Sequence, residues 1–70
     1  MNGTELRGVI EQLGMTQVGT ARFLGHNAST IRKWISNRNP VPLPTEMLLR
    51  VMLKYSLTPD NVQAMVKRKR

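Results

Sequence analysis

The sequence predicts an all-α fold, a compact bundle of five short helices. Three observations carry that expectation. Apolar residues recur at spacings of three and four, no segment alternates apolar and polar as a strand does, and the periodic stretches are parted by helix punctuation: Gly14, Gly25, prolines and Thr or Asn caps. The 70 residues make one domain with no internal repeat. A chain of this size buries about 60% of its unfolded surface, so its core supplies on the order of 3–5 kcal/mol and a dimer partner is a natural support.

Each element has a local cause. Leu6, Val9, Ile10 and Leu13 form the stripe of a helix over 5–13, with Thr4 as its N-cap and Gly14 as its stop. Thr16 caps a second helix over 17–24, in which Val18, Ala21 and Leu24 share a face and Gly25 offers the left-handed position that ends it. Gly8 and Gly19 cost these helices about 1 kcal/mol each relative to Ala, so packing must hold them. Asn27 opens a third helix over 28–36, striped by Ile31, Trp34 and Ile35. Pro40-Val41-Pro42-Leu43-Pro44 reads as an extended connector, because each proline removes a donor and restricts the residue before it. Pro44 starts a fourth helix over 45–55, with Met47, Leu48, Val51, Met52 and Tyr55 at helical spacing. Thr58-Pro59-Asp60 starts a fifth, over 59–66, whose apolar residues are Val62, Met65 and Val66. The domain is expected over 1–66, followed by a disordered basic tail at 67–70.

Composition excludes several functions. There is no cysteine and a single histidine, which leaves neither a disulfide framework nor a metal cluster, and no cofactor is expected. No carboxylate pair, nucleophile with its base, or phosphate loop is present, so the chain is not expected to be an enzyme. No apolar run approaches the roughly 20 residues of a membrane span, and the first residues lack the pattern of a signal peptide, so a soluble cytoplasmic protein is expected. On that basis the glycosylation patterns Asn2-Gly3-Thr4 and Asn27-Ala28-Ser29 are coincidental.

The charge points elsewhere. Eleven Lys and Arg against four Asp and Glu give a net +7, of which the run Lys67-Arg68-Lys69-Arg70 holds four, leaving +3 for the body. Between Glu11 and Glu46 no acidic residue occurs, while Arg22, Arg32, Lys33 and Arg38 fall in that window. A polyanionic partner is the expectation, against the plainer reading of a solvated basic surface.

Residues 17–36 sharpen it. With Gln17 as the first position, Ala21 is fifth, Gly25 ninth, Ile31 fifteenth and Trp34 eighteenth. A small residue at Ala21 lets the third helix cross close to the second, Gly25 permits the turn, and Ile31 with Trp34 fills the angle between them. Ser29, Arg32, Lys33 and Ser36 lie on the opposite side of the third helix, with Ala28 at its flank. Arginine and lysine donate to guanine, serine serves several bases, and an alanine methyl meets a thymine methyl.

Gln17, Ala21-Arg22-Phe23-Leu24-Gly25, Thr30-Ile31-Arg32-Lys33-Trp34 and Arg38 with Pro40-Val41-Pro42 resemble the helix-turn-helix domains of the XRE/Cro type, the phage-repressor-like DNA binders, over about residues 5–55. Two departures are Gly19, where that family often has an acidic residue, and Asn37, where it often has glycine; asparagine is the next best residue for a left-handed conformation. The resemblance implies a bundle of the lambda-repressor-like type. It implies base contacts from Ala28, Ser29 and Lys33, with Arg32 divided between base and phosphate, and phosphate contacts from Gln17, Asn27, Ser36, Asn37 and Arg38. It implies a small bacterial or phage-encoded transcriptional regulator, a repressor by its size, acting as a homodimer on double-stranded DNA at a near-palindromic site with half-sites about 10 base pairs apart. Helices four and five are the expected dimer face. Two alternatives stay open: an excisionase-like or architectural DNA-binding factor, and an antitoxin or adaptor whose fourth and fifth helices bind a protein partner.

Overall fold

Helix ends dictate where this chain turns, and four of its helices end alike. A computed structural model describes residues 1–68. It contains α1 (Gly3–Gln12), α2 (Gln17–Leu24), α3 (Ala28–Ile35), α4 (Leu43–Lys54) and α5 (Pro59–Arg68), with no strand among the described residues. After each of the first four helices one residue takes a left-handed conformation: Gly14 (φ 72°), Gly25 (φ 75°), Asn37 (φ 62°) and Ser56 (φ 53°). The next amide in each case donates back to the last full turn: Met15 to the Ile10 carbonyl at 3.0 Å, His26 to Ala21 at 2.8 Å, Arg38 to Lys33 at 2.9 Å and Leu57 to Met52 at 2.8 Å. Each closure satisfies carbonyls that a helix end otherwise leaves bare.

The helix starts are more varied. α1 begins two residues before its expected start because Asn2, rather than Thr4, caps it. The Asn2 side chain accepts from the Glu5 amide at 2.8 Å, and the Glu5 carboxylate accepts from the Asn2 amide at 3.3 Å, a reciprocal box. Thr16 caps α2 as expected, accepting from the Gly19 amide at 2.9 Å. α3 closes at Ile35, one residue short of expectation, with Ser36 as its cap. α4 starts at Leu43 with Pro44 inside its first turn, since the amides there have no acceptor within the helix and proline loses nothing by lacking one. At α5 the Thr58 hydroxyl accepts from the Asn61 amide at 3.1 Å, and the Asn61 side chain returns the bond to the Thr58 amide at 3.1 Å, with Pro59 in the first position. The basic run is not wholly a tail: Lys67 and Arg68 continue α5, and positions 69 and 70 lie outside the described residues.

The core joins Leu6, Val9 and Ile10 of α1, Ala21 of α2, Ile31 and Trp34 of α3, and Leu49 and Met52 of α4. Burying a side chain such as Leu6, Ile31 or Leu49 contributes about 1.5–3 kcal/mol relative to leaving it in water. Ala21 lets α2 and α3 pack closely, and α1 rests on both α3 and α4. Thr20, the buried polar residue, is satisfied by donating to the Thr16 carbonyl at 2.8 Å.

Two expected core assignments are corrected. Val18 stands at the surface, and the stripe expected of α4 is split: Met52 is buried and Leu48 packs beside the core as expected, joined by Leu49 and Leu53, while Met47, Val51 and Tyr55 are exposed. Met65 and Val66 of α5 are likewise exposed, and Val62 packs at the edge of the core. α4 is apolar on two sides, and periodicity alone does not say which side faces in.

Candidate nucleic-acid interface

α3 is short, and its amphipathic division is clean. Ile31 and Trp34 are buried, Ile35 is half-buried, and Ser29, Arg32, Lys33 and Ser36 are exposed. The left-handed turn at Asn37 then brings the following residue back, so that Arg38 joins the exposed face. Ser29, Arg32, Lys33, Ser36 and Arg38 together line one shallow depression of about 290 Å³. Three cations and two hydroxyls meet there, and no carboxylate does.

The acidic residues explain the sign of this surface by where they are. Glu46 pairs with the Met1 amino group at 2.8 Å and with Arg50 at 2.8 Å, Arg50 also reaches Glu5 at 3.6 Å, and Glu11 stands 3.9 Å from Arg7. Asp60 lies in the first turn of α5. The acids are thus on α1, α4 and α5, where they are matched by neighbouring cations or placed on the favourable end of a helix. Hydrogen bonds from the Met1 amino group and from Arg50 hold the Glu46 carboxyl below the usual carboxylate range, and Arg50 is correspondingly raised by its bond to Glu46. Among the described residues Arg22, Arg32, Lys33 and Arg38 have no ion-pair partner, so their field is uncompensated.

The structure brings five of the nine expected contact residues to this depression, and the other four stand apart. Gln17 is half-buried at the start of α2, in a separate depression of about 190 Å³ that it shares with Arg7, Glu11 and Ile35. Ala28 is half-buried and packs against the core, so only part of it is presented outward. Asn27 occupies the cap position of α3 but its side chain makes no capping bond, which leaves an exposed amide beside the helix start. Asn37 is exposed, yet its Oδ1 accepts from the Gly3 amide at 2.8 Å; a phosphate needs donors, and the Nδ2 hydrogens of Asn37 are the part not used by that bond. Within the depression, the Ser36 hydroxyl donates to the Lys33 carbonyl at 3.3 Å, so it serves an anion only by giving up that bond.

One positioning residue had no place in the sequence reading. At Gly3 an added Cβ would meet the Ile35 carbonyl oxygen at 1.8 Å, so the start of α1 lies directly against the end of α3. Together with the bond to Asn37, this contact holds the turn that carries Arg38. The only local signal was a glycine directly after a capping asparagine. In the turn before α3, His26 is exposed, with its ring edge-on to buried Trp34 at 5.1 Å between centroids.

No helix among the described residues is long and apolar enough to cross a membrane. Compared with models of known protein families, with curated proteins and with solved structures, the chain matches none.

Proposed function

We propose that this chain is a sequence-reading, double-stranded DNA-binding protein of the helix-turn-helix kind, a small transcriptional regulator that acts as a repressor in the cytoplasm of a bacterium or its phage. The observation that carries the reading is the acid-free depression on α3, where Arg32, Lys33 and Arg38 converge with Ser29 and Ser36. An α-helix fits the major groove, and an exposed face of short hydroxyl side chains and long cations offers base edges the donors they read best. Arg38, beyond the helix end, is placed to hold a phosphate while Arg32 and Lys33 reach inward. Asn27 adds an amide at the entry of α3, and Gln17 is the outlying member, at the start of the neighbouring helix.

The roles separate in one experiment. A bound site sequence and a scrambled duplex are titrated with Arg32→Ala, Lys33→Ala and Arg38→Ala. Loss of a base contact costs about 1–3 kcal/mol on the bound site and little on the scrambled one, whereas loss of a phosphate contact weakens both and lowers the salt slope by about one. Equal losses on both duplexes for all three variants contradict base reading by α3.

A further inference from the structure

The side of the bundle carries a groove that the DNA reading does not use. It lies between α2, α4 and α5, has a volume of about 510 Å³, and shares no residue with the depression on α3. Phe23 and Leu24 of α2 and Leu48 of α4 form its floor, each of them half-buried and packed on the core from above. Val62 and Val66 of α5 form the facing wall. α5 meets the core through Val62, whereas Val66, one turn later, is 53% exposed, so the helix overhangs the groove without closing it. We propose that this groove is a binding site for a small amphipathic anion, a molecule with an apolar body and one anionic head.

Size, lining and charge agree on that class. Sites for small ligands are concavities of about 300–1,000 Å³ whose walls are mostly apolar and whose few polar groups fix the ligand's orientation. Here the apolar walls are complemented by Gln63 and Lys67, one turn apart on the same side of α5. The Lys67 ammonium only donates, and the Gln63 amide adds two more N–H donors, so together they suit an acceptor that carries charge. Among the described residues no carboxylate lines the groove and none pairs with Lys67, which leaves the ammonium for an anionic head. A cationic head meets only repulsion there. The apolar body displaces water from Phe23, Leu24 and Leu48, and complete burial of each methylene tightens binding about fourfold. A partner helix fits less well, because it needs anchor positions over several turns, whereas Val62 and Val66 lie about 6 Å apart along α5.

The test uses the purified full chain without DNA, so it stands or falls apart from the DNA reading. Octanoate, below its micelle concentration, is titrated by calorimetry and by amide chemical shifts. The expected result is saturable one-to-one binding with a dissociation constant of about 0.1–1 mM, and shifts centred on Leu24, Val62 and Val66. Hexanoate, shorter by two methylenes, is expected to bind about fourfold more weakly or worse. Octanol is expected to bind about threefold more weakly, and octyltrimethylammonium not to bind. With helical circular dichroism unchanged, Lys67→Gln is expected to weaken octanoate about threefold. Val66→Glu is expected to weaken it more than about tenfold, since it removes apolar wall and sets a carboxylate beside the head. Lys54→Gln, beside the exposed Tyr55 ring on α4, and Lys33→Gln on α3 are expected to leave binding as it is. Absence of saturable octanoate binding overturns the proposal, as do shifts centred on Val51 and Tyr55, equal binding of octyltrimethylammonium, or octanoate affinity that survives both Lys67→Gln and Val66→Glu.

Discussion

Replacing glycine by alanine at two positions of α1 should move stability in opposite directions, although both lie in the same helix and the chemistry is identical. At Gly8 the new methyl group meets nothing within 4 Å, so Gly8→Ala gains helix propensity alone and is expected to stabilise by about 0.5–1 kcal/mol. At Gly3 the methyl group falls 1.8 Å from the Ile35 carbonyl oxygen and 2.5 Å from its carbon. Those are backbone atoms at the end of α3, which no rotamer change moves aside. The start of α1 must withdraw by well over an ångström, which strains the packing by about 1–3 kcal/mol. The displacement also breaks the 2.8 Å bond from the Gly3 amide to Asn37, worth about 1 kcal/mol. The sum is a loss of roughly 3 kcal/mol, of the same order as the whole stability of so small a domain, and about 4–8 °C in Tm accompanies each kcal/mol. Thermal and urea melts of the two variants, followed by circular dichroism at neutral pH, read both signs. A Gly3→Ala variant as stable as the wild type would refute the close approach of α1 to α3.

Other consequences concern the helix ends and one ion pair. Ser56 holds a left-handed conformation without an evident side-chain bond, so Ser56→Gly is expected to stabilise by about 0.5–1 kcal/mol, whereas Asn37→Gly relieves the same strain but forfeits the bond to Gly3 and gains nothing net; chemical denaturation compares the two. Thr16→Ala removes the acceptor for the Gly19 amide and should lower stability by about 1 kcal/mol in the same assay. Because Glu46 is held below its ordinary range in the folded state, its contribution is present at neutral pH and is lost as pH falls through the folded value. Glu46→Gln should therefore melt lower than the wild type at pH 7 and together with it at about pH 2; a gap that persists in acid contradicts the ionic origin.

Much of the fold was legible because the punctuation is local. Thr16 before α2, Gly25 after it, and Thr58-Pro59 before α5 each act through bonds within a few residues, and the structure bears them out. Asn37, expected to be left-handed because it stands where the resembled family often has glycine, does take that conformation. The start of α1 is also local: Asn2 and Glu5, a cap and a carboxylate three residues apart, form the box, but Thr4 is an equally good cap by residue type and competes for the same role in the sequence. The inward face of α4 was legible only in part: Leu48 and Met52 lie on the expected stripe, but Met47, Val51 and Tyr55 satisfy helical spacing as well as Leu49 does, and only the position of α1 decides between them. α5 runs two residues beyond its expected end because lysine and arginine are good helix formers, although a run of cations has the composition of a solvated end.

At the candidate interface the sign of the charge could be read directly from the gap between Glu11 and Glu46. The convergence of Arg38 with Ser29, Arg32, Lys33 and Ser36 could not, because it depends on a turn held by Gly3, a residue 34 positions earlier in the chain. The same bond puts the expected role of Asn37 on its amide hydrogens alone.

The most direct measurement is retention of randomised duplex DNA by the purified chain at about 0.15 M salt, where binding through phosphates alone is suppressed, followed by sequencing of what is held. Reading by α3 predicts a motif a few base pairs long. Retention without any motif, or no retention at all, contradicts sequence-specific recognition of DNA by this protein.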